Sequence, residues 1–127
     1  MILKNSISDV LISMFVVAVA ASESCCNYPL IMANNANATM SNFKCSESIT
    51  MVCQNWDIDT YEKTGIAGFP TEDLSNFQII AESQYEYEGL FICDTANQLW
   101  RMGERDGEYS HFACAYKPKS GEWTIFR

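Results

Sequence analysis

The segment Gly89-Leu-Phe-Ile-Cys-Asp94 is the first of four that alternate apolar and polar residues within residues 86–127. The other three are Gln98-Leu-Trp-Arg-Met102, Tyr109-Ser-His-Phe-Ala-Cys-Ala-Tyr-Lys117 and Glu122-Trp-Thr-Ile-Phe126. Gly, Pro, Asn and Asp lie between them, and these residue types form tight turns. A period of two residues bounded by turn formers is typical of antiparallel strands. The sequence therefore predicts an antiparallel meander in the last third of the chain.

Two cysteines, Cys93 and Cys114, lie inside these predicted strands. Alternate residues of a strand share one face, so Cys93 lies on the face of Phe91 and Cys114 on the face of Phe112. If the two apolar faces meet, a disulfide can join them. We therefore expect Cys93 and Cys114 to form a pair.

Upstream of the meander, residues 46–56 have apolar residues at helical spacing. The stripe at positions i, i+3, i+4 and i+7 consists of Ile49, Val52, Cys53 and Trp56. Such a stripe is typical of a helix that packs on a core, and Ser46 is a suitable N-cap. A strand is the alternative, because Ile49, Thr50 and Val52 are β-branched. We favour the helix, with Cys53 facing the core.

Residues 57–68 are expected to be a loop, since Thr64-Gly65 and Ala67-Gly68 are turn signals. From Phe77 the alternation resumes and predicts one more strand. The predicted fold class is α+β: one short helix packed on a four- to five-stranded antiparallel sheet, stabilised by disulfides.

Residues 1–21 have the pattern of a secretory signal peptide. Lys4 supplies the positive charge, residues 10–21 are apolar, and Ala18-Val-Ala20 supplies the small residues of a cleavage site. The apolar run is too short to cross a bilayer of roughly 30 Å as a helix, which disfavours the alternative of a membrane anchor. We predict a secreted protein with no membrane association after cleavage, in which residues 22–127 form a single domain.

All six cysteines follow the predicted signal: Cys25, Cys26, Cys45, Cys53, Cys93 and Cys114. An even number behind a secretory signal predicts a disulfide framework, whose connectivity the sequence leaves open. Because adjacent cysteines do not easily bond each other, Cys25 and Cys26 are each expected to take a distant partner. No metal or other cofactor is predicted, since there is one histidine and no Cys-x-x-Cys. Asn37-Ala-Thr39 is a candidate N-glycosylation site.

The charge of the chain limits its partners. Eight Lys and Arg against 16 Asp and Glu give a net charge of −8. Nucleic acid is an unlikely partner for so acidic a chain, because phosphate backbones are bound through Lys and Arg. A protein partner with a basic surface is favoured, and the chain itself is expected to be a monomer.

No catalytic motif is present, and one set of residues could cleave RNA. It consists of a glutamate, Glu86 or Glu88, an arginine, Arg101 or Arg105, and His111. The glutamate would take the proton of the 2′-hydroxyl, the arginine would stabilise the charged phosphorane, and the histidine would protonate the leaving oxygen.

The segment Tyr85-Glu-Tyr-Glu-Gly-Leu-Phe91 resembles the Tyr-Glu-Gly-aromatic strand of small secreted fungal ribonucleases. The resemblance implies a helix against an antiparallel sheet, with Glu88, Arg105 and His111 as the catalytic set. The chain departs from the family in lacking its second histidine-bearing strand and in the short spacing from Arg105 to His111. In these respects it is similar to the fungal plant-pathogen effectors that share the ribonuclease fold and lack the catalytic set.

The sequence thus predicts a secreted, effector-like virulence protein that binds a host or extracellular protein without catalysis. One alternative is a secreted endoribonuclease using Glu88, Arg105 and His111. A second alternative is a structural extracellular protein.

Overall fold

The computed structural model of the protein describes residues 25–32, 35–45 and 47–125, so the predicted signal peptide lies outside it. The described residues form seven strands: β1 Ile49–Gln54, β2 Tyr61–Phe69, β3 Gln78–Ser83, β4 Glu86–Asp94, β5 Leu99–Met102, β6 His111–Pro118 and β7 Thr124–Ile125. In this part of the chain no helix is long and apolar enough to span a membrane.

The strands form two antiparallel sheets that share one core. One sheet has the order β1-β4-β5 and the other the order β3-β2-β6-β7. Phe91 of β4 and Phe112 of β6 are fully buried, and their ring centroids are 4.2 Å apart. The disulfide between Cys53 of β1 and Cys114 of β6 also joins the two sheets. The main core therefore lies between the sheets.

The outer face of the four-stranded sheet is covered as well. Four buried residues lie on it: Ala67, Phe69, Ala113 and Ala115. Leu74 and Phe77, from the connection between β2 and β3, pack over them. Because β2 and β6 bury residues on both faces, this strand pair is the centre of the fold.

The helix predicted over residues 46–56 is wrong, and with it the α+β class. Residues Ile49–Gln54 form β1, which pairs with β4. Burial follows a period of two, with Ile49, Met51 and Cys53 facing the core. The described residues contain strands and no helix. The β-branched residues of this segment favour a strand, and pairing with β4 satisfies its backbone groups.

The loop predicted over residues 57–68 is also wrong, because most of it forms β2. A Cβ atom on Gly65 would lie 2.2 Å from the carbonyl oxygen of Ala81, and one on Gly68 would lie 2.6 Å from the ring of Tyr109. The glycines therefore mark places where another chain segment approaches the strand closely, not turns.

The strands predicted near residue 77 and in the last third of the chain are confirmed, but they do not form one meander. β4 and β5 belong to the three-stranded sheet. β6 and β7 belong to the four-stranded sheet, where β6 also pairs with β2. An isolated bridge between Trp100 and Tyr109 connects the two groups.

All six cysteines are paired, as the sequence predicts. The disulfides are Cys25–Cys45, Cys26–Cys93 and Cys53–Cys114. The expected Cys93–Cys114 pair is wrong, because Cys114 is bonded to Cys53 of β1 across the core and Cys93 is bonded to Cys26. The described residues before β1, which include Cys26, are called the N-terminal arm, or the arm, below. Cys25 and Cys26 each take a distant partner, as expected. Three disulfides in so short a chain fit a small extracellular protein.

Candidate functional site

Three aromatic side chains come together at one end of the β2–β6 strand pair. Trp56 follows β1, Tyr61 begins β2, and Tyr116 lies near the end of β6. Ring centroids are 5.5 Å apart for Trp56 and Tyr61, 6.3 Å for Trp56 and Tyr116, and 5.4 Å for Tyr61 and Tyr116. Together with the neighbouring Ile58 and Tyr85, these residues are called the aromatic end below.

The connection between β1 and β2 is held in place by hydrogen bonds. Asn55 donates from Nδ2 to the carbonyl oxygens of Tyr61, at 2.8 Å, and Gln84, at 3.1 Å. The backbone N–H of Thr60 lies 3.2 Å from Oδ1 of Asp57. Hydrogen bonding with Thr60 lowers the pKa of the Asp57 carboxyl. The aromatic end therefore sits on a turn with defined geometry rather than on a loose loop.

The aromatic end is unusually exposed for its composition. Trp56 is 63% exposed, Ile58 56% and Tyr85 60%, whereas Trp100 in the core is 1% exposed. Single exposed apolar residues are ordinary, but a contiguous group of this kind marks an interaction surface in many soluble proteins. The group is therefore the first candidate for a binding site.

The charges beside the aromatic end are paired. Lys63 contacts Glu82 at 2.6 Å and Lys117 contacts Glu62 at 3.0 Å. The hydrogen bond with Lys117 lowers the pKa of Glu62, and the hydrogen bond with Glu82 raises the pKa of Lys63. Burial raises the pKa of the Tyr116 hydroxyl. At neutral pH the tyrosine is therefore uncharged, and each of these two ion pairs has no net charge.

The glutamates of the predicted ribonuclease site lie on the outer face of β4. On this face Glu86 and Glu88 are followed along the strand by exposed Leu90 and Ile92. In the sheet, Glu88 is opposite Val52 of β1. This face points away from the shared core, in which Phe91 of the same strand is buried.

The two candidate arginines lie on and after β5. Arg101 is exposed and opposite Ile92 in the sheet. Arg105, in the turn after β5, donates to the carbonyl oxygen of Ile80 at 2.6 Å and to the hydroxyl of Tyr87 at 3.2 Å. Its guanidinium group also lies 5.9 Å from the centroid of the Tyr87 ring. These contacts tie the β3 edge to β4, which is a structural role.

His111 begins β6 and is opposite Phe69 of β2. Its Nδ1 lies 2.9 Å from the hydroxyl oxygen of Ser110. The imidazole lines a cavity together with Glu72 and Asn97, whereas Arg105 lines a different cavity with Asp106 and Tyr109. Glu88, Arg105 and His111 thus occupy separate surroundings in the described part of the chain.

We expect the purified protein not to cleave single-stranded RNA. Glu88 and Arg101 lie on the outer face of the three-stranded sheet and His111 lies on the four-stranded sheet, while Arg105 is engaged by Ile80 and Tyr87. The measurement is gel analysis of RNA incubated with the wild-type protein and with the His111→Ala variant, and intact RNA is expected from both. Cleavage that disappears in the variant would establish the ribonuclease instead.

The glycosylation candidate Asn37 is exposed and lies beside β1. Its Oδ1 accepts a hydrogen bond of 3.0 Å from the backbone N–H of Thr50, and its own N–H donates to the Thr50 carbonyl. The hydroxyl of Tyr28 donates to the carbonyl oxygen of Ala38, the residue that follows Asn37. Glycosylation of Asn37 stays a prediction.

Sequence reasoning missed Trp56 as a surface residue. The helical stripe placed it on the core side with Ile49 and Cys53. The signal that corrects this is the alternation of Ile49, Met51 and Cys53, which ends before Trp56 and leaves that side chain outside the strand.

The chain matches no protein-family model, no curated protein and no solved structure. The resemblance of residues 85–91 to fungal ribonuclease-like effectors stays a prediction. The candidate site is therefore argued from the geometry of this chain.

Proposed function

We propose that the protein is a secreted, effector-like binding protein that recognises a host or extracellular protein through the aromatic end, without catalysis. The three disulfides support an extracellular location, because such bonds persist in oxidising environments outside the cell. They also hold a small fold rigid, which lowers the entropic cost of presenting a fixed binding surface.

The observation that carries the proposal is the exposure of Trp56 beside Tyr61 and Tyr116. Trp and Tyr are the residue types most often found at the energetic centre of protein interfaces. The indole ring of Trp56 is supported by two tyrosine rings but remains 63% exposed. A partner that covers it gains the free energy of burying a large apolar ring without first reorganising the site.

The charge of the chain indicates what surrounds the contact on the partner. With a net charge of −8, the protein attracts basic surfaces over distances at which dissolved ions do not screen the charges. Beside the aromatic end, Lys63 is paired with Glu82 and Lys117 with Glu62. The partner is thus an extracellular protein with an apolar contact patch and a basic periphery.

Site-specific photo-crosslinking tests the proposal. A benzophenone amino acid replaces Tyr85, which is 60% exposed in the aromatic end, so that Trp56 is retained. The secreted protein is then illuminated in extracellular fluid that contains candidate partners. We expect one discrete protein adduct, because the site is formed in advance and contacts one partner surface. The measurement is mass spectrometry of the adduct band.

Two controls make the result specific. The same group at Met40, which is 75% exposed and lines a different cavity from Trp56 and Tyr116, is expected to give no such adduct. Excess unlabelled wild-type protein should abolish the adduct, whereas excess Trp56→Ser protein should not. Equal adducts from both positions, or equal competition by both proteins, would contradict the proposal, and absence of any adduct would favour a structural role.

A further inference from the structure

A polar cavity lies at the end of the β2–β6 pair opposite to the aromatic end. The ladder runs from Tyr61 opposite Pro118 to Phe69 opposite His111, so its two ends are separated by the length of the strands. The cavity has a volume of about 530 Å³, within the range of roughly 300–1,000 Å³ typical of small-molecule sites. Its polar side chains come from four separate segments: Asn27, Glu72, Asn97, Gln98, Ser110 and His111.

The hydrogen bonds of Ser110 fix the tautomer of His111. The Ser110 hydroxyl lies 2.6 Å from the carbonyl oxygen of Thr71, which can only accept. Because a hydroxyl has a single proton, it is given to Thr71, and the Ser110 oxygen accepts from Nδ1–H of His111 at 2.9 Å. The neutral imidazole then presents Nε2 as an acceptor. The same contacts leave Ser110 without a base to activate it, so the pair is not a nucleophilic site.

The carboxamide of Asn97 is held in a fixed orientation. Its Nδ2 donates to Asp94 at 3.3 Å and to the two carboxylate oxygens of Glu108 at 3.1 and 3.2 Å. A polar group whose rotamer is fixed by other side chains is prepared for recognition before a ligand arrives. Asp94 and Glu108 are at the same time occupied by the amide.

Gln98, beside Asn97, has a strained backbone. Its φ of 57° lies in the left-handed region, which favours glycine, and its N–H closes a turn by donating to the Asp94 carbonyl at 2.8 Å. A glutamine in this conformation costs free energy that glycine would not. Retained strain of this kind clusters at binding sites, and here the side chain of Gln98 lines the cavity.

From these features we propose that the polar cavity binds a neutral, polyhydroxylated ligand, namely one sugar unit of a glycan. Each sugar hydroxyl both donates and accepts, and the carboxamides of Asn27 and Gln98 offer donors and acceptors in the same way. The amide protons of Asn97 are taken by Asp94 and Glu108, so this residue offers its Oδ1 as an acceptor. Nε2 of His111 adds an acceptor. Pro70 and Leu99 add apolar surface, against which the C–H face of a pyranose ring packs.

Other ligand classes fit the cavity less well. An anion would meet the carboxylate of Glu72, and no Lys or Arg is among the described residues that line the cavity. An apolar ligand would leave the polar lining without hydrogen-bond partners, which is costly. A metal cation would find one carboxylate, that of Glu72, among the described residues that line the cavity, and the described residues contain no cluster of three His, Cys, Asp or Glu side chains that could hold it.

Nuclear magnetic resonance of the imidazole tests the proposal. His111 is the one histidine of the sequence, so its ring signals are assigned without ambiguity. The protein is titrated with methyl glycosides of glucose, galactose, mannose and N-acetylglucosamine, and separately with inorganic phosphate and methylamine. We expect saturable shifts of the His111 signals with at least one glycoside in the millimolar range, and none with the two ions.

The variant Gln98→Gly is the matched test of the site. Glycine suits the φ of residue 98, so the thermal midpoint is expected to stay the same or rise, while loss of the side-chain hydrogen bonds weakens binding by about tenfold. Trp56→Ser is expected to leave the titration unchanged, which separates this site from the proposed protein-binding surface. Three results would overturn the sugar site: no shift with any glycoside, unchanged affinity in Gln98→Gly, or shifts produced by phosphate or methylamine alone.

Discussion

Replacing both Cys53 and Cys114 with alanine is expected to lower the free energy of unfolding by about 4 kcal/mol. The disulfide closes a loop with a sequence separation of 61 residues, the kind of long loop whose closure removes the most entropy from the unfolded chain. Cys53 is fully buried, and the bond crosses the core from β1 to β6. Its loss therefore also weakens the packing of one sheet on the other.

Urea unfolding under non-reducing conditions, with the Cys25→Ala, Cys45→Ala double variant beside it, measures this effect. That disulfide spans 20 residues, and Cys45 is exposed, so its removal is expected to cost about 3 kcal/mol. The inter-sheet disulfide should thus be the more costly of the two to remove. A larger loss in the arm variant would mean that the two sheets are held by their apolar contacts and that the arm is the weak point of the fold.

The strands of the last third were predictable because each carries a clear period of two between turn residues. β1 was not predictable, since its apolar residues fit both the spacing of a helix and the period of two of a strand within a short segment. Ile49, Val52 and Cys53 match a helical stripe, and Ile49, Met51 and Cys53 match a strand. What decides between them is pairing with β4, which is distant in sequence. A local pattern does not contain that information.

β2 was missed for a different physical reason. Gly65 and Gly68 have the composition of a turn, but in the structure they allow Ala81 and Tyr109 to approach the strand. Positions 65 and 68 must lack a side chain because β3 and the segment before β6 pack directly against them. Such a need becomes visible only when those neighbours are placed.

The candidate sites were foreseen only in their residue types. The sequence indicated a lone histidine, and its helical stripe placed Trp56 on the core side. The aromatic end depends on bringing Tyr61 and Tyr116 together across the β2–β6 pair. The polar cavity depends on the arm, two connections and the start of β6 meeting at one place.

The inter-sheet aromatic contact is expected to be the other large contribution to stability. Phe112→Ala should lower the free energy of unfolding by about 4 kcal/mol, because a fully buried ring is lost and the surroundings relax incompletely. The ring of Phe112 lies 4.2 Å from that of Phe91 and 5.6 Å from that of Tyr109. Its backbone also bonds the arm, donating to Pro29 and accepting from Ile31.

Thermal and urea unfolding of Phe112→Ala, with Phe77→Ala as the control, measures the effect. Phe77 is half-buried on the outer face of the four-stranded sheet, so its removal should cost less than half as much. Where Phe112→Ala fails to fold, Phe112→Leu and Phe91→Leu, singly and combined, give a double-mutant cycle, with an expected coupling of roughly 0.5–1.5 kcal/mol. The backbone bonds to the arm remain in all these variants, so the measured loss reports the Phe112 ring, and the coupling in the cycle reports its contact with Phe91. Equal losses for Phe112→Ala and Phe77→Ala, or leucine variants that are strictly additive, would show that the two sheets are not joined through this pair of rings.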